Sequence, residues 1–384
     1  MSIKTKKIIV ILAFIFIAAF LAGDLAFVSR SNVAEGYYYI DENFNIINKA
    51  PVDTLPGKFS KEGYAIGDGG VDIWIMDKEG KFVKRPDDDT TATNFEEDGL
   101  FKTCKGYYDK DFNLVIEIKY SDNYSPCKNI IDSNPRAFSS NELAAVPVYR
   151  KMDNDHAAVE VWGYINKNGE FMIEPQYKSA EDFGKNGYAL VENMDGTFVF
   201  IDENGNEVSK KYSNAYPFSD NGLAIVCESD SKRAGYVNDD FEFVIENDGY
   251  VKHPFSDNNL AAVSKKVDKA FIWGFINEKG EQVIDFQFGA VPYGFVNGYC
   301  VVCKGGKWGF IDETGNYIFE KKFSRQPNSF SEDGIALIQD DNGLYGYIKT
   351  DGTWLLEPQF EKATDYSNGY AGVWLNENQK IKTQ

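Results

Sequence analysis

The chain has 384 residues, of which 43% are hydrophobic and 15% aromatic, enough for an extensive packed core. Its 12 prolines and evenly spread 34 glycines exclude a collagen-like or disordered composition. A formal net charge of −19 argues against nucleic acid as a partner, and against broad adhesion to anionic lipid, because the field of such a body repels polyanions.

The first element is residues 1–34. Lys4, Lys6 and Lys7 precede an unbroken apolar run from Ile8 to Ala22, followed by Gly23 and Asp24. A basic start before about 15 apolar residues is the outline of an export signal. A spanning helix needs roughly 20. The segment therefore predicts one N-terminal apolar helix serving as a cleaved signal or a retained anchor, and an extracytoplasmic body. The body is expected to meet a membrane only through this segment.

The rest of the chain is a tandem repeat. KWGFIDETG at 307–315 is echoed by IWGFINEKG at 272–280 and by WGYINKNG at 162–169. The glycine position of this phrase falls at Gly163, Val199, Gly235, Gly274, Gly309 and Gly346, at spacings of 36, 36, 39, 35 and 37. Tyr38, Trp74 and Gly106 hold the equivalent place upstream, with an insertion at about 120–160 before Gly163. Nine units result, six of them well formed. Residues 35–161 are degenerate copies, and residues 162–384 are regular ones continuous with them.

Each unit predicts three strand-like pieces and no helix. The first alternates faces, as Trp162, Gly163 and Tyr164 do. A turn such as DETG or NEKG follows, its glycine suited to positive φ. The second piece, FMIEPQY or TWLLEPQF, is expected to end at its proline, which cannot donate to a ladder. The third is nearly continuously apolar, as in GYALV and GLAIV, and suits a strand covered on both faces. Ala189, Ala224, Ala261, Ala336 and Ala371 share one slot in it, which Cys300 fills in GYCVV. A unit of this size cannot bury its own apolar face and must stack on neighbours. Trp162, Trp273, Trp308, Tyr164 and Phe310 are the expected aromatic knobs. Gly163, Gly235, Gly274, Gly309 and Gly346 are expected to make room for an aromatic of an adjacent strand or unit.

These phrases, with the EPQY and EPQF endings, resemble the WG-repeat family of bacterial tandem β-repeat proteins across residues 162–375, and more weakly across 37–161. The resemblance implies an all-β array, commonly on exported or envelope proteins, without an established catalytic centre. Two architectures fit: a propeller-like curved array, and an open superhelical β-solenoid.

Little in the sequence points to chemistry. Cys300-Val-Val-Cys303 is a CxxC, but on a strand residues i and i+3 face opposite ways, so buried structural cysteines are expected. A Cys104–Cys127 bridge is conceivable. His156 and His253 lie in no nucleophile or metal motif. Asp109-x-Asp111-x-Asn113 opens like a calcium loop but has Leu114 where glycine is needed and Tyr120 where an acid is needed, so a hairpin turn is expected. No cofactor or metal is implied. Exposed aromatics on one rim, the 120–160 insertion and the segments before the third strand are the candidate binding regions. The reading is a non-enzymatic binding or scaffolding module with a protein or glycan partner. The alternatives are a hydrolase using paired carboxylates and a purely structural surface array.

Overall fold

The computed structural model describes residues 34–48, 57–68, 73–83, 99–121, 124–125, 135–150, 159–228, 233–246, 253–291, 293–377 and 379–381. The predicted N-terminal helix lies outside these. Among the described residues there are strands, turns and isolated bridges but no helix, in nine antiparallel sheets of two to four strands.

One sheet shows the plan. Asn214–Ala215, Ala224–Cys227, Ala234–Val237 and Phe243–Glu246 pair in that order. They form a short edge strand, a core strand, a glycine strand and an outer strand. The sequence repeat begins at the glycine strand, so it is offset from the sheet. Each sheet takes its short and core strands from the end of one repeat and its glycine and outer strands from the next.

This offset closes the molecule. The core strand Ala371–Leu375 belongs to the last described repeat, and the glycine strand Gly36–Ile40 to the first. The two pair antiparallel with Tyr38 opposite Val373 and Ile40 opposite Ala371. Packing closes in the same way. Nine hydrophobic clusters each bridge two consecutive sheets. Leu190 and Phe200 join the cluster on one side of their sheet, while Val191 and Ile201 join the cluster on the other. The closing sheet packs Tyr38 and Val373 against the sheet before it and Tyr39 against the sheet after it. The series of sheets therefore has no free end. Core strands are buried on both faces, as their continuous apolar character requires.

The turns after the glycine strands behave as their sequences predict. Gly315 has φ 85, and Asp312 Oδ1 accepts the amides of Thr314 and Asn316. Three turns place phenylalanine at that corner: Phe44, Phe112 and Phe241, with φ 63, 60 and 60. Such φ values are costly for a bulky residue. Phe241 is compensated by packing on Phe200, with ring centroids 5.4 Å apart.

Two sequence expectations are corrected. The prolines do not end the outer strands. Pro175 and Pro358 lie inside Phe171–Tyr177 and Trp354–Phe360. There, Tyr347 pairs with Leu356 and Tyr345 with Phe360, so two extra outer-strand residues bulge opposite Gly346. Proline suits such a bulge because its position needs no ladder donor. The glycines, in turn, accommodate backbone rather than aromatic rings. A Cβ on Gly346 would sit 2.5 Å from Pro358 N and 2.7 Å from Leu356 O. On Gly163 it would lie 2.6 Å from Ile173 O, on Gly274 2.7 Å from Ile284 O, and on Gly235 2.2 Å from Ile245 O. Gly309 alone of this set faces an aromatic first, Tyr317 Cε1 at 2.8 Å, with the Lys322 side chain beside it. Its outer segment makes only bridges, Ile311 to Tyr317 and Trp308 to Phe323. The same holds beside Val199, where Ile201 bridges Glu207 and Phe198 bridges Tyr212.

Candidate functional site

The ring presents two rims. One carries the hairpins between core and glycine strands. The other carries the turns between glycine and outer strands, together with the loops between short and core strands. This second rim is markedly acidic, and it is the candidate binding face.

Its turns are built around single carboxylates. Asp41, Asp109, Asp202 and Asp312 each open one turn and accept main-chain amides two and four residues on, while Asp351 sits inside the turn opened by Lys349 and accepts the Thr353 amide. Asp109-x-Asp111-x-Asn113 is such a turn, as expected. Hydrogen bonds to the ionised form hold Asp109, Asp312 and Asp351 below the usual carboxylate range. For Asp312 and Asp351 the largest cause is the hydroxyl of Thr314 or Thr353; for Asp109 it is the Asn113 amide. Three of these turns also expose a further acid that makes no part of the turn scaffold: Glu42, Glu203 and Glu313.

The adjoining loops follow a second rule. In five sheets a buried tyrosine of the glycine strand donates its hydroxyl to a carbonyl just before the short-to-core loop. Tyr39 reaches Gly57 O at 2.8 Å, Tyr107 Arg136 O at 2.9 Å and Tyr164 Glu181 O at 2.8 Å. Tyr236 reaches His253 O at 3.1 Å and Tyr347 Thr364 O at 2.9 Å. The tyrosine or phenylalanine choice after the glycine is visible in the sequence, but its long-range acceptor is not. The anchored position differs from sheet to sheet (Gly57, Arg136, Glu181, His253, Thr364), and Tyr216, Tyr293 and Asn328 are its equivalents. Everything that frames the position repeats, while the position itself varies.

Neighbouring loops touch. Arg136 pairs with Glu181 at 2.8 Å, Lys185 with Asp220 at 2.7 Å, and Lys58 with Asp365 at 2.7 Å across the closing sheet. His253 Nε2 lies 3.0 Å from Val291 O. Asn297 and Asn368 donate to Phe330 O and Phe59 O of the following sheet. The loops between short and core strands are thus tied to one another from sheet to sheet along the acidic rim.

The aromatic knobs do not form an open platform. Trp162 and Trp273 are buried, Tyr164 and Phe310 fully so. Trp308 is partly buried and packs on the following core. Elsewhere, cations cover aromatic faces: Arg233 lies 4.0 Å from the Phe243 centroid, Lys321 4.5 Å from Trp354 and Lys362 5.0 Å from Trp374. The expected rim of free aromatics is thus reduced to a few rings, with Tyr293, 52% exposed, placed in a segment before a core strand.

The remaining candidates separate. Cys300 and Val302 face one core, and Val301 faces the next. Cys303 therefore points away from Cys300, and the CxxC is not a facing pair. Burial pushes the Cys300 thiol up. Cys127 and His156 lie outside the described residues, as does much of the 120–160 insertion. Within it, Tyr124–Ser125 pairs with Tyr149 and Arg150 of the core strand Ala144–Arg150 and lengthens one sheet. Among the described residues no group of His, Cys, Asp or Glu is placed to hold a metal ion.

Comparison with known proteins now has a geometry to attach to. The family model described as "WG containing repeat" matches residues 162–197, 200–231, 273–308, 308–343 and 345–378. The sheet carrying Gly235 lies between matched segments and has the same build. No curated protein matches the chain. Among solved structures, Kluyveromyces lactis Hsv2 aligns at 10% identity over 53% of this chain and 71% of its own, with a TM-score of 0.35. A streptogramin B lyase aligns at 11% identity over 88% and 97%, with a TM-score of 0.34. The form of Kluyveromyces lactis Hsv2 with complete loop 6CD aligns at 11% identity and a TM-score of 0.31, over 46% of this chain and 60% of its own length. At these scores the structural likenesses carry no functional argument. The repeat itself does: five segments across residues 162–378 match the family described as WG containing repeat.

Proposed function

We propose that the chain is an exported binding or scaffolding module of the cell envelope, a nine-bladed propeller-like ring that holds a partner at its acidic rim. The observation that carries this reading is the contrast within the rim. Turns and tyrosine anchors repeat from sheet to sheet, while the anchored positions along the rim change. A repeat array of this kind presents a rigid frame with one adjustable position per unit, the usual design of repeat binding surfaces. A match to a repeat family is consistent with a non-enzymatic role. Export rests on the basic and apolar residues 1–34.

Charge favours a protein partner with a cationic segment over a neutral glycan. The ion pairs between the loops, such as Arg136–Glu181 and Lys58–Asp365, use the rim's cations and leave acids such as Asp257 and Asp333 in surplus. Such a rim speeds encounter with basic segments and makes the association salt-dependent. The test is capture of envelope proteins and of a panel of insoluble polysaccharides by the immobilised full chain at low and high salt. Saturable capture of a basic protein, lost when Tyr293 and Asp333 are changed to Ala and Asn, supports the reading. Capture of polysaccharide that is indifferent to salt replaces the protein partner with a glycan. No saturable capture refutes the binding role.

A further inference from the structure

Two hairpins between core and glycine strands are longer than the others; in one, Ala144–Arg150 and Val159–Ile165 pair over seven positions, and its tip lies outside the described residues. In the other, core strand Ala261–Val267 and glycine strand Ala270–Ile276 pair over seven positions, through Val267 opposite Ala270. The corresponding pairings of Ala189–Glu192 with Phe198–Ile201, and of Ala224–Cys227 with Ala234–Val237, stop after four. The first four residues of the longer core strand are buried, and Lys265, Lys266 and Val267 are exposed. Ala270 and Phe271 are exposed on the return strand. The tip exposes Val267 by 41% and Phe271 by 36%, beside Lys266, Lys269 and a single acid, Asp268, with Lys265 Nζ 4.5 Å from the Phe286 centroid. It belongs to the rim opposite the acidic one.

The first described strand, Gly36–Ile40, is entered from the same rim. Tyr38 stands opposite Val373 as Gly274 stands opposite Val263, so the two glycine strands run in the same direction at the same level. Ala34 is four residues before Tyr38, and Ala270 is four before Gly274. The Tyr38 hydroxyl donates to Ala34 O at 3.0 Å, which fixes the exit. The apolar run Ile8–Ala22 therefore connects to the rim that carries the basic, apolar-tipped hairpin.

We infer that the 265–271 hairpin docks on an anionic phospholipid surface, its Val267 and Phe271 entering the interface and its three lysines meeting the headgroups. This rests on the anchored-envelope reading. The occupant follows from charge complementarity and from where the tether leaves the ring. Amphipathic tips bind by buried apolar area plus attraction to anionic lipid. The acidic net charge is no obstacle, because the acidic rim is at the far end and salt screens charges beyond about 8–10 Å. Docking there directs the acidic rim away from the bilayer, toward partners.

The test uses the full chain reconstituted with vesicles of phosphatidylcholine alone or mixed with phosphatidylglycerol, read by flotation and by amide hydrogen exchange. Exchange at 265–271 is expected to slow about tenfold or more with phosphatidylglycerol, since each lysine near such a surface contributes appreciably. The buried stretch 261–264 should not change. Lys265→Glu with Lys269→Glu and Val267→Ser should abolish the difference while flotation persists. A chain that floats with equal exchange at 265–271 in both lipids overturns the hairpin docking alone. A chain that floats with neither overturns the anchor reading and the docking together.

Discussion

Replacing Gly346 by alanine isolates the role of the repeat glycines. The added Cβ would meet three main-chain atoms of one bulge: Pro358 N at 2.5 Å, Leu356 O at 2.7 Å and Glu357 C at 2.8 Å. None is the end of a flexible side chain, so the glycine and outer strands must separate or the bulge must be lost. Overpacking of a fixed site costs typically 1–3 kcal/mol. The Leu356 and Phe360 side chains, both fully buried, would be displaced with it, so a value of about 2–3 kcal/mol is expected. Gly309→Ala meets Tyr317 Cε1 at 2.8 Å and two Lys322 atoms at 3.1 Å. Those are side-chain ends with room to rotate, and less than about 1 kcal/mol is expected. The assay is urea unfolding followed by tryptophan fluorescence, with midpoints compared at a common slope. Equal losses for the two variants, or a larger loss at Gly309, would refute the backbone-approach account and restore the aromatic-gap expectation.

Tyr347→Phe removes a buried hydroxyl and leaves Thr364 O without its donor; a loss of about 1–3 kcal/mol is expected in the same assay, with faster amide exchange at 363–366 that Phe310→Leu, which removes no hydrogen bond, should not reproduce. Asp312 and Asp351 have folded pKa values below the unfolded one, so their contribution is full above an unfolded pKa of about 3.9 and is lost as pH falls through the folded value. Thr314→Val should weaken that acid-side loss, seen as a shallower decline of thermal stability below about pH 4. Tyr39→Ala in the closing sheet removes a 1% exposed ring and should cost about 3–5 kcal/mol, with hydrogen exchange rising first at 371–375.

The repeat, its period and its strands were legible because each unit must solve one packing problem with its own residues. The phrase around Gly274 or Gly346 states a turn, a close approach and two alternating faces within nine residues. The pairing of Gly36–Ile40 with Ala371–Leu375 was not legible, because it joins residues far apart in sequence and no local pattern marks it. The bulge was misread for a related reason. Proline in EPQ reads locally as a strand end, and only the register against Tyr345 and Tyr347 shows two residues looping out inside the strand. The candidate rim was half visible. Acidic turns follow from the sequence, whereas the tyrosine anchors span 17 residues or more to acceptors that any residue type can supply.

The offset between repeat and sheet explains why the most degenerate unit closes the ring. A glycine strand without a preceding core strand, and a core strand without a following glycine strand, would each expose an unpaired edge, a site for pairing between chains. Joined, they remove both edges. The joint also makes Tyr37, Tyr39 and Trp374 a packing surface for Phe59 and Tyr370, with the Tyr39 and Phe59 centroids 4.8 Å apart and those of Phe59 and Tyr370 4.4 Å apart. Here the Trp-Gly pair is replaced by Tyr37 and Tyr38, and the strand Gly36–Ile40 is buried throughout. Departure from the motif at this position is therefore what the seam demands: the bulge opposite Gly346 needs a glycine, whereas this strand joins the two ends of the chain through aromatic mass on both faces. A unit that looks weakest as a repeat carries the contacts on which the continuity of the whole ring depends.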